Sequence, residues 1–328
     1  PPPARSRRAH LGKNASEAHR EPVSSPTSAD GGTLNIALAT SDASTEPKRD
    51  EAILVDALVE LGATAEIVDW RVSEEWRRYD VVVVRSTWNY QDHHAAFLRW
   101  IDAVASQTRM MNPPGVMKAN TVKTYLRVLA EHGVPVVPTQ WITPSDLDEI
   151  AEIGDVVVKP SVGATGSGLR RFEGSEGVRE HVASLLHLGE VMIQPFVRSV
   201  AEVGETSAVF IGGRFTHAVH KVAREGEFRV QSEFGGTYSL ATPTPHSIEV
   251  AERAIDALSG ARDTLAYARV DLVLDEDGSP LVGEVELVEP DLFLSLNPAA
   301  ARQLAAFIPS RTSRGAQAQA GPHLGTSG

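Results

Sequence analysis

The stretch from Tyr267 to Val288, YARVDLVLDEDGSPLVGEVELV, decides the fold. Two runs of alternating apolar and polar residues flank Asp277-Gly278, a dipeptide that favours a two-residue hairpin turn. Pairing Glu276 with Ser279 sets the register, so that Asp271 faces Glu284 and Arg269 faces Glu286. One face then carries Ala268, Val270, Leu272, Leu274, Leu281, Val285 and Leu287. The other gathers the charges, with Val273, Val282 and Val288 among them. Opposed side chains sit ~5 Å apart, and opposed like charges repel unless something positive lies between them. A divalent cation supplies that charge. Oxygen-only donors at this spacing suit magnesium, which takes one or two carboxylates and leaves its other positions to water and phosphate. The pattern therefore points to a bound nucleotide; the plainer alternative is a solvated sheet face, against which the three valines on the charged side weigh.

Working outward, 328 residues with 42% hydrophobic content suffice for one large or two to three smaller cores. A net charge of -12 argues against a general nucleic-acid binder, which needs clustered Lys and Arg to neutralise phosphates. The absence of cysteine removes disulfides, thiolate zinc sites and a Cys nucleophile, and fits a reducing, cytoplasmic setting. No run of 18 apolar residues is present, so no membrane span is expected. Residues 1–32 and 309–328 are rich in Pro, Ser, Ala and charge and read as a disordered extension and a disordered tail.

From Thr33 strands and helices alternate: strands at Leu34–Ala39, Thr64–Asp69, Asp80–Val84 and Arg109–Asn112, helices at Arg49–Leu61 and His94–Ala105. This is the signature of a parallel sheet covered on both faces. No dinucleotide fingerprint follows the first strand. The spacing predicts an amphipathic helix over Asn120–His132, another over Glu176–Leu188 and a third over Ile248–Leu258. From Val191 onward the chain is mostly strands, before a closing helix at Pro298–Phe307.

Lys159 ends the run DVVVK and is followed at once by SVGATGSG (161–168). Gly163, Gly166 and Gly168 permit a backbone that presents N–H groups to an anion, and Lys159 can reach the same anion. The loop is not a Walker A motif; a ligand-free Gly-rich hairpin is the competing reading. Lys123 by itself reads as a solvated helix lysine. Gln194-Pro195-Phe196-Val197 offers an extended edge to an adenine ring or is simply a strand end, and Glu205 faces a ribose, a substrate or solvent. Lys221, Arg229 and Arg269 can converge on the carboxylates to serve an anionic group, or can be structural ion pairs. His217 and His220 match no metal pattern and read as structural. Ser86-Thr87-Trp88-Asn89-Tyr90, at the carboxyl end of a strand, reads as an ordinary polar loop with substrate binding as the alternative.

Taken in order, Lys123, Lys159, SVGATGSG, QPFV, GETS, Lys221, Arg229, Arg269-Val-Asp271 and Glu284-Val-Glu286 resemble the ATP-grasp ligase superfamily over about residues 112–307. Within it, RSTWNY, NPPGVMKANTVKTYL and GEVELVEPDLFL are similar to glutathione-synthetase-like proteins, and to the cycloserine-forming O-ureido-serine cyclo-ligases in particular. The resemblance implies an α/β and α+β ATP-grasp fold, with an N-terminal parallel α/β lobe (33–117), a central lid (118–196) and a metal-binding lobe (197–308) clasping ATP. It places Lys123, Lys159 and the loop residues Gly163, Thr165, Gly166, Ser167 and Gly168 on the phosphates, and Gln194, Pro195, Phe196 and Val197 on adenine. Asp271, Glu284 and Glu286 would hold Mg²⁺, or Mn²⁺, with Glu286 standing where the family's E-x-N motif has Asn. Lys221, Arg229 and Arg269 would handle the transferred phosphoryl group or a substrate carboxylate.

The implied reaction is carboxylate–amine ligation through an acylphosphate, releasing ADP and phosphate, on a small amino-acid-like molecule. Intramolecular cyclisation is the nearer specific form. A non-catalytic nucleotide-binding scaffold and a phosphotransferase are the alternatives. No nucleic acid or membrane partner is implied, and a homodimer is compatible with the reading.

Overall fold

A computed structural model describes residues 33–42, 49–72, 75–150, 154–163 and 166–312. The expectations for residues 1–32, for Thr165 and for the tail beyond 312 lie outside the described residues. Among the described residues no helix is long and apolar enough to cross a membrane.

The N-terminal lobe is a parallel sheet in the order β2-β1-β3-β4, built from β1 (Asn35–Thr40), β2 (Thr64–Asp69), β3 (Val81–Val84) and β4 (Arg109–Met111). The four valines of β3 are all fully buried, as a run of β-branched residues in the middle of a two-sided sheet requires. Each contributes about 1.5–3 kcal/mol relative to exposure. Helix α1 (Arg49–Glu60) covers one face. Helix α2 (His94–Ala105) covers the other, where Trp70, Trp76, Tyr90, Phe97 and Trp100 form an aromatic core of stacked and edge-on rings.

The helix expected over Asn120–His132 is two helices, α3 (Pro114–Asn120) and α4 (Tyr125–Glu131), and Lys123 lies in the turn between them. Thr121, Val122 and Thr124 are β-branched and poor helix formers, and the Thr121 hydroxyl donates to the Lys118 carbonyl (2.7 Å), competing with helical continuation. The Lys123 amide instead donates to the Ser161 carbonyl (2.8 Å). Helix α4 packs its Tyr125, Leu126 and Leu129 into the core of the C-terminal lobe.

The second sheet is antiparallel, order β5-β8-β6-β7, from β5 (Gln140–Ile142), β6 (Val156–Pro160), β7 (Arg170–Phe172) and β8 (Val191–Pro195). Its helix α5 (Val178–Leu185) starts only after Gly177 in left-handed conformation, so it is shorter than expected, with a 3₁₀ turn over 186–188. Strand β5 carries too short an apolar run to be legible.

A short helix α6 (Ser199–Glu202) leads into the third sheet, β11-β10-β9-β12-β13. Its strands are β9 (Glu205–Ile211), β10 (Arg214–Val222), β11 (Thr237–Ala241), β12 (Tyr267–Leu274) and β13 (Pro280–Glu286). Helix α7 (Pro245–Ser259) has Thr244 as N-cap, Pro245 in its first turn and Gly260 closing it in left-handed conformation. Helix α8 (Pro298–Thr312) continues past Phe307 through Pro309, so residues 309–312 are helical where a disordered tail was expected. It packs with α1 and β9, joining the first and third sheets through one core.

The deciding hairpin has the expected pairs Arg269–Glu286 and Asp271–Glu284, reached by a different route. The turn is not two residues long: the Asp275 amide donates to the Ser279 carbonyl (2.9 Å), and the Asp275 carboxylate caps the amides of Asp277 (3.0 Å) and Ser279 (2.7 Å), with Gly278 at φ 80°. That longer turn shifts the register by one, so Leu274 pairs with Pro280 and Leu272 with Val282. A bulge at Gly283 restores it at the acids. Between turn and bulge the faces of β13 are therefore exchanged. Val282, expected among the charges, is fully buried in the apolar core, and Leu281, expected in the core, is half-buried on the other side.

Candidate active site

A cavity of about 400 Å³ opens where the three sheets meet. On β6, alternation turns Val156 and Val158 into the lid core and leaves Lys159 facing the cavity beside Gly163, Gly166 and Ser167 of the Gly-rich loop. A Cβ on Gly166 would meet Phe234 at 3.5 Å and Gln231 at 3.7 Å, so the loop tip closes against the segment that precedes β11. Gly168, at φ 72°, packs on Leu185 and Pro160 and does not line the cavity. Lys123 ties this loop to the hairpin: its Nζ donates to the Gly163 carbonyl (2.7 Å) and pairs with Glu284 (2.8 Å).

Opposite lie the charges of the third sheet. Asp271 accepts from Arg269 through both nitrogens of a fork (2.9 Å each) and from Ser207 (2.5 Å), and pairs with Lys221 (3.2 Å). Lys221 also pairs with Glu205, its direct cross-strand neighbour, and Arg269 with Glu286. In this arrangement side chains already place positive charge beside each of the opposed acids. Among the described residues no three His, Cys, Asp or Glu side chains are grouped to hold a metal.

Burial disfavours every one of these charges, and local partners decide which survive. Against that desolvation, Arg269 and Lys221 hold Asp271 below the usual carboxylate range, and Glu284 holds the Lys123 ammonium above its own. Burial lowers Lys159, which has no ion pair among the described residues. Burial pushes Glu286 up to about 7 despite Arg269, because Glu284 and Asp271 crowd it. Burial likewise raises Glu289, with Glu286 adding to the effect, and lifts Asp291 to about 6, with Asp50 adding.

Two groups of expected residues are not brought here. Gln194, Pro195, Phe196 and Val197 do not line the cavity: the Gln194 amide donates to Thr139 (2.8 Å), the Phe196 backbone N–H donates to the Asp155 carbonyl (2.9 Å), and the Phe196 ring lies under Arg171 at 3.7 Å. Arg229 pairs with Glu227 (2.7 Å) and stacks over Phe234 at 3.5 Å, outside the lining. Conversely, the N-terminal lobe contributes Trp88 and Tyr90, and the segment after β13 contributes Glu289, Asp291 and Phe293. The first pair sits in the polar loop 86–90 that sequence favoured as ordinary. The second group follows directly on the acids of β13 within GEVELVEPDLFL, and its signal was the adjacency of two further acids to that strand end.

Comparison with known proteins settles the family. The Cycloserine biosynthesis protein DcsG of Streptomyces lavendulae is 34% identical over 294 residues, covering 84% of this chain and 98% of that protein. The family model described as "Prokaryotic glutathione synthetase, ATP-grasp domain" matches residues 136–288. The chain belongs to the ATP-grasp ligase family. A second model, "D-cycloserine synthetase DcsG, N-terminal domain", matches residues 36–112. The crystal structure of D-cycloserine synthetase DcsG superposes with a TM-score of 0.75 at 34% identity, covering 85% of this chain and 99% of that one. A probable alpha-L-glutamate ligase of Xanthomonas campestris is 29% identical over 213 residues, 63% of this chain and 70% of that protein. The D-alanine--D-alanine ligase of Bacillus anthracis shares the fold, with a TM-score of 0.60 at 13% identity over 86% of this chain and 97% of that one. This ATP-grasp protein is an ATP-dependent ligase acting on small molecules.

The donor set also fits a hard divalent cation. Seven carboxylates and four cationic side chains line the cavity, and all its side-chain donors to a metal are oxygens.

Proposed function

We propose that this ATP-grasp ligase activates the carboxylate of a small amino-acid-like substrate with the γ-phosphate of ATP and closes an amide within the same molecule, as a cyclo-ligase of the cycloserine-forming type. The observation that carries the reading is the layout of one cavity: Lys159 and the Gly-rich loop on the lid side, the acids of β12 and β13 opposite, and Trp88 and Tyr90 of the N-terminal lobe closing the third wall. The likeness to a cycloserine biosynthesis protein along nearly its whole length supports the substrate class.

In this reading a substrate carboxylate oxygen attacks the γ-phosphorus, ADP leaves, and a nitrogen of the substrate attacks the acyl carbon, losing its proton as phosphate departs. The protein's part is alignment and charge stabilisation. Lys159 has no ion pair among the described residues and is offered to the phosphates. Lys123 serves the same chain of phosphates from the base of the loop. Arg269 and Lys221, held by Asp271, Glu205 and Glu286, steady the anionic group in transfer. Glu284 and Glu286 would hold Mg²⁺, or Mn²⁺ in its place; Asp271 joins them only by giving up contacts to Arg269 or Lys221. The ion supplies charge neutralisation of the triphosphate. The contact of Gly166 with the Gln231–Phe234 segment keeps water from the acylphosphate.

We read residues 33–117, 118–196 and 197–308 as the three lobes of this device. Thr165 and Gly168 keep their assignment to the phosphates with the rest of the loop, and residues 194–197 and Arg229 would reach the nucleotide only after a rearrangement of the cavity wall. A cytoplasmic setting accompanies a substrate such as ATP, and the acidic surface disfavours nucleic acid. The test is ADP release with O-ureido-serine: it should require ATP, Mg²⁺ and that one substrate, and yield a cyclic product. A requirement for a separate amine would sink the cyclising form, and a stable phosphorylated product would make the protein a phosphotransferase.

A further inference from the structure

We propose that Glu289 receives the α-ammonium group of the amino-acid substrate and so determines specificity at the wall facing the phosphate loop; this rests on the ligase reading above. Glu289 is only 6% exposed, lines the cavity, and its carboxylate has no hydrogen bond or ion pair among the described residues. Its neighbours differ. Glu205, Asp271, Glu284 and Glu286 each hold a lysine or arginine.

The backbone around Glu289 is fixed. Its carbonyl accepts from the Trp88 indole (3.0 Å), Arg85 donates to the next carbonyl, that of Pro290 (2.9 Å), and the Tyr267 hydroxyl donates to the preceding one, that of Val288 (3.0 Å). A largely buried carboxylate carried on a fixed backbone and left without a partner is placed for a cation that arrives with a ligand. Lys123, Lys221 and Arg269 are engaged elsewhere, and Lys159 stands on the lid side with the Gly-rich loop, assigned to the phosphates, so the substrate is the source. A compact ammonium with three donors suits a single carboxylate beside Trp88 and Tyr90, whose ring faces attract cations. A divalent ion suits the paired Glu284 and Glu286 better.

The experiment compares O-ureido-serine with its deamino analogue on the full-length protein, reading ADP release for wild type, Glu289→Gln and Glu289→Asp with each substrate, ATP and Mg²⁺ varied in turn while the others are saturating. The expected result is a KM for O-ureido-serine raised roughly 10- to 100-fold in Glu289→Gln, the worth of one buried charge-assisted contact. The KM values for the deamino analogue, ATP and Mg²⁺ should stay within about two-fold, and Glu289→Asp should recover part of the loss. Equal weakening of both substrates, or an effect confined to ATP or Mg²⁺, overturns the proposal. Wild type that prefers the deamino analogue also overturns it while leaving the ligase reading intact; wild type that turns over neither removes both. Glu289→Gln changes no volume, and an unaltered KM for ATP certifies its fold.

Discussion

Two lysines meet the same nucleotide in the proposed mechanism, yet their surroundings require opposite effects on stability. Lys159 is a partly buried cation with no ion pair among the described residues, and desolvation is the largest influence lowering its ammonium, with Lys123 adding to it. Replacing it with Met keeps the volume and removes a desolvated charge. Removing a partly desolvated, unpaired charge while keeping the volume is neutral to stabilising, so Lys159→Met should gain up to about 1 kcal/mol. Lys123 is 11% exposed and satisfies both Glu284 and the Gly163 carbonyl. Lys123→Met strands a carboxylate in an already acidic cavity. Breaking a buried pair costs roughly 3–5 kcal/mol, and Glu284, at 29% exposure, can recover some water, which places the loss at about 2–3 kcal/mol. At roughly 2–4 °C per kcal/mol, thermal melts of the two variants should separate by several degrees on opposite sides of wild type. Both should lose ATP-dependent ADP release, by roughly 100-fold or more. If Lys159→Met melted below wild type by as much as Lys123→Met, the assignment of Lys159 as the unpaired, ligand-directed cation would be wrong.

The other expectations are narrower. Glu286 has its folded pKa raised to about 7 from an ordinary 4.5, so between those values the folded state holds more protons than the unfolded one. Its contribution is therefore fully present below the unfolded pKa and is lost as pH rises through the folded one, by about 2–3 kcal/mol between pH 4.5 and 7. Glu289 and Asp291 act in the same direction. Urea unfolding of the ligand-free protein should accordingly show a lower midpoint at pH 7.5 than at pH 5, with a flatter profile for Glu286→Gln; a profile that rises across that range refutes the crowding argument. Asn112, at φ 62°, donates to the carbonyls of Tyr267 (2.9 Å) and Leu287 (2.7 Å) and accepts from the Ala266 amide (2.8 Å), clamping the ends of β12 and β13. Asn112→Ala should cost about 3 kcal/mol by leaving buried backbone groups unpaired, visible as a lowered denaturant midpoint with m unchanged.

The parallel lobe was legible because β3 and its neighbours carry unbroken apolar runs and α2 repeats its apolar residues at helical spacing. The hairpin acids were legible for a less secure reason. A two-residue turn and an unbroken ladder put Asp271 opposite Glu284; a longer turn and a bulge at Gly283 do the same, because one shift cancels the other. Periodicity cannot tell these apart at the acids, but it fails between them, and Val282 and Leu281 record the failure. Lys123 was identifiable only by likeness to a family, since nothing in a run of Thr, Val and Lys marks a turn that docks on Ser161 across the chain. Trp88, Tyr90 and Glu289 come together through the meeting of separate lobes, which no local pattern encodes. The residues expected at adenine lie outside the lining of this cavity because the Gln194 side chain and the Phe196 ring and amide find partners within the lid itself.

The arrangement of charges also explains why the hairpin can be both stable and available. Each acid of β12 and β13 is held by a cation from a different part of the chain: Lys123 from the α3–α4 turn, Lys221 from β10, Arg269 from β12 itself. Asp271 is bound by three groups at once and is the least able to exchange. Glu284 has one partner, which also touches the Gly-rich loop, and Glu286 has one partner, whose stronger engagement is with Asp271. The acids therefore form a graded series from structural to exchangeable. On the proposed assignment, a triphosphate that draws Lys123 toward itself would release Glu284 at the same moment, coupling loop closure to the freeing of a carboxylate for Mg²⁺. In a Lys123→Met variant the two are uncoupled, and the Mg²⁺ concentration needed for nucleotide-dependent stabilisation should fall even as catalysis is lost. A higher Mg²⁺ requirement in that variant would show that Glu284 is not the exchangeable ligand.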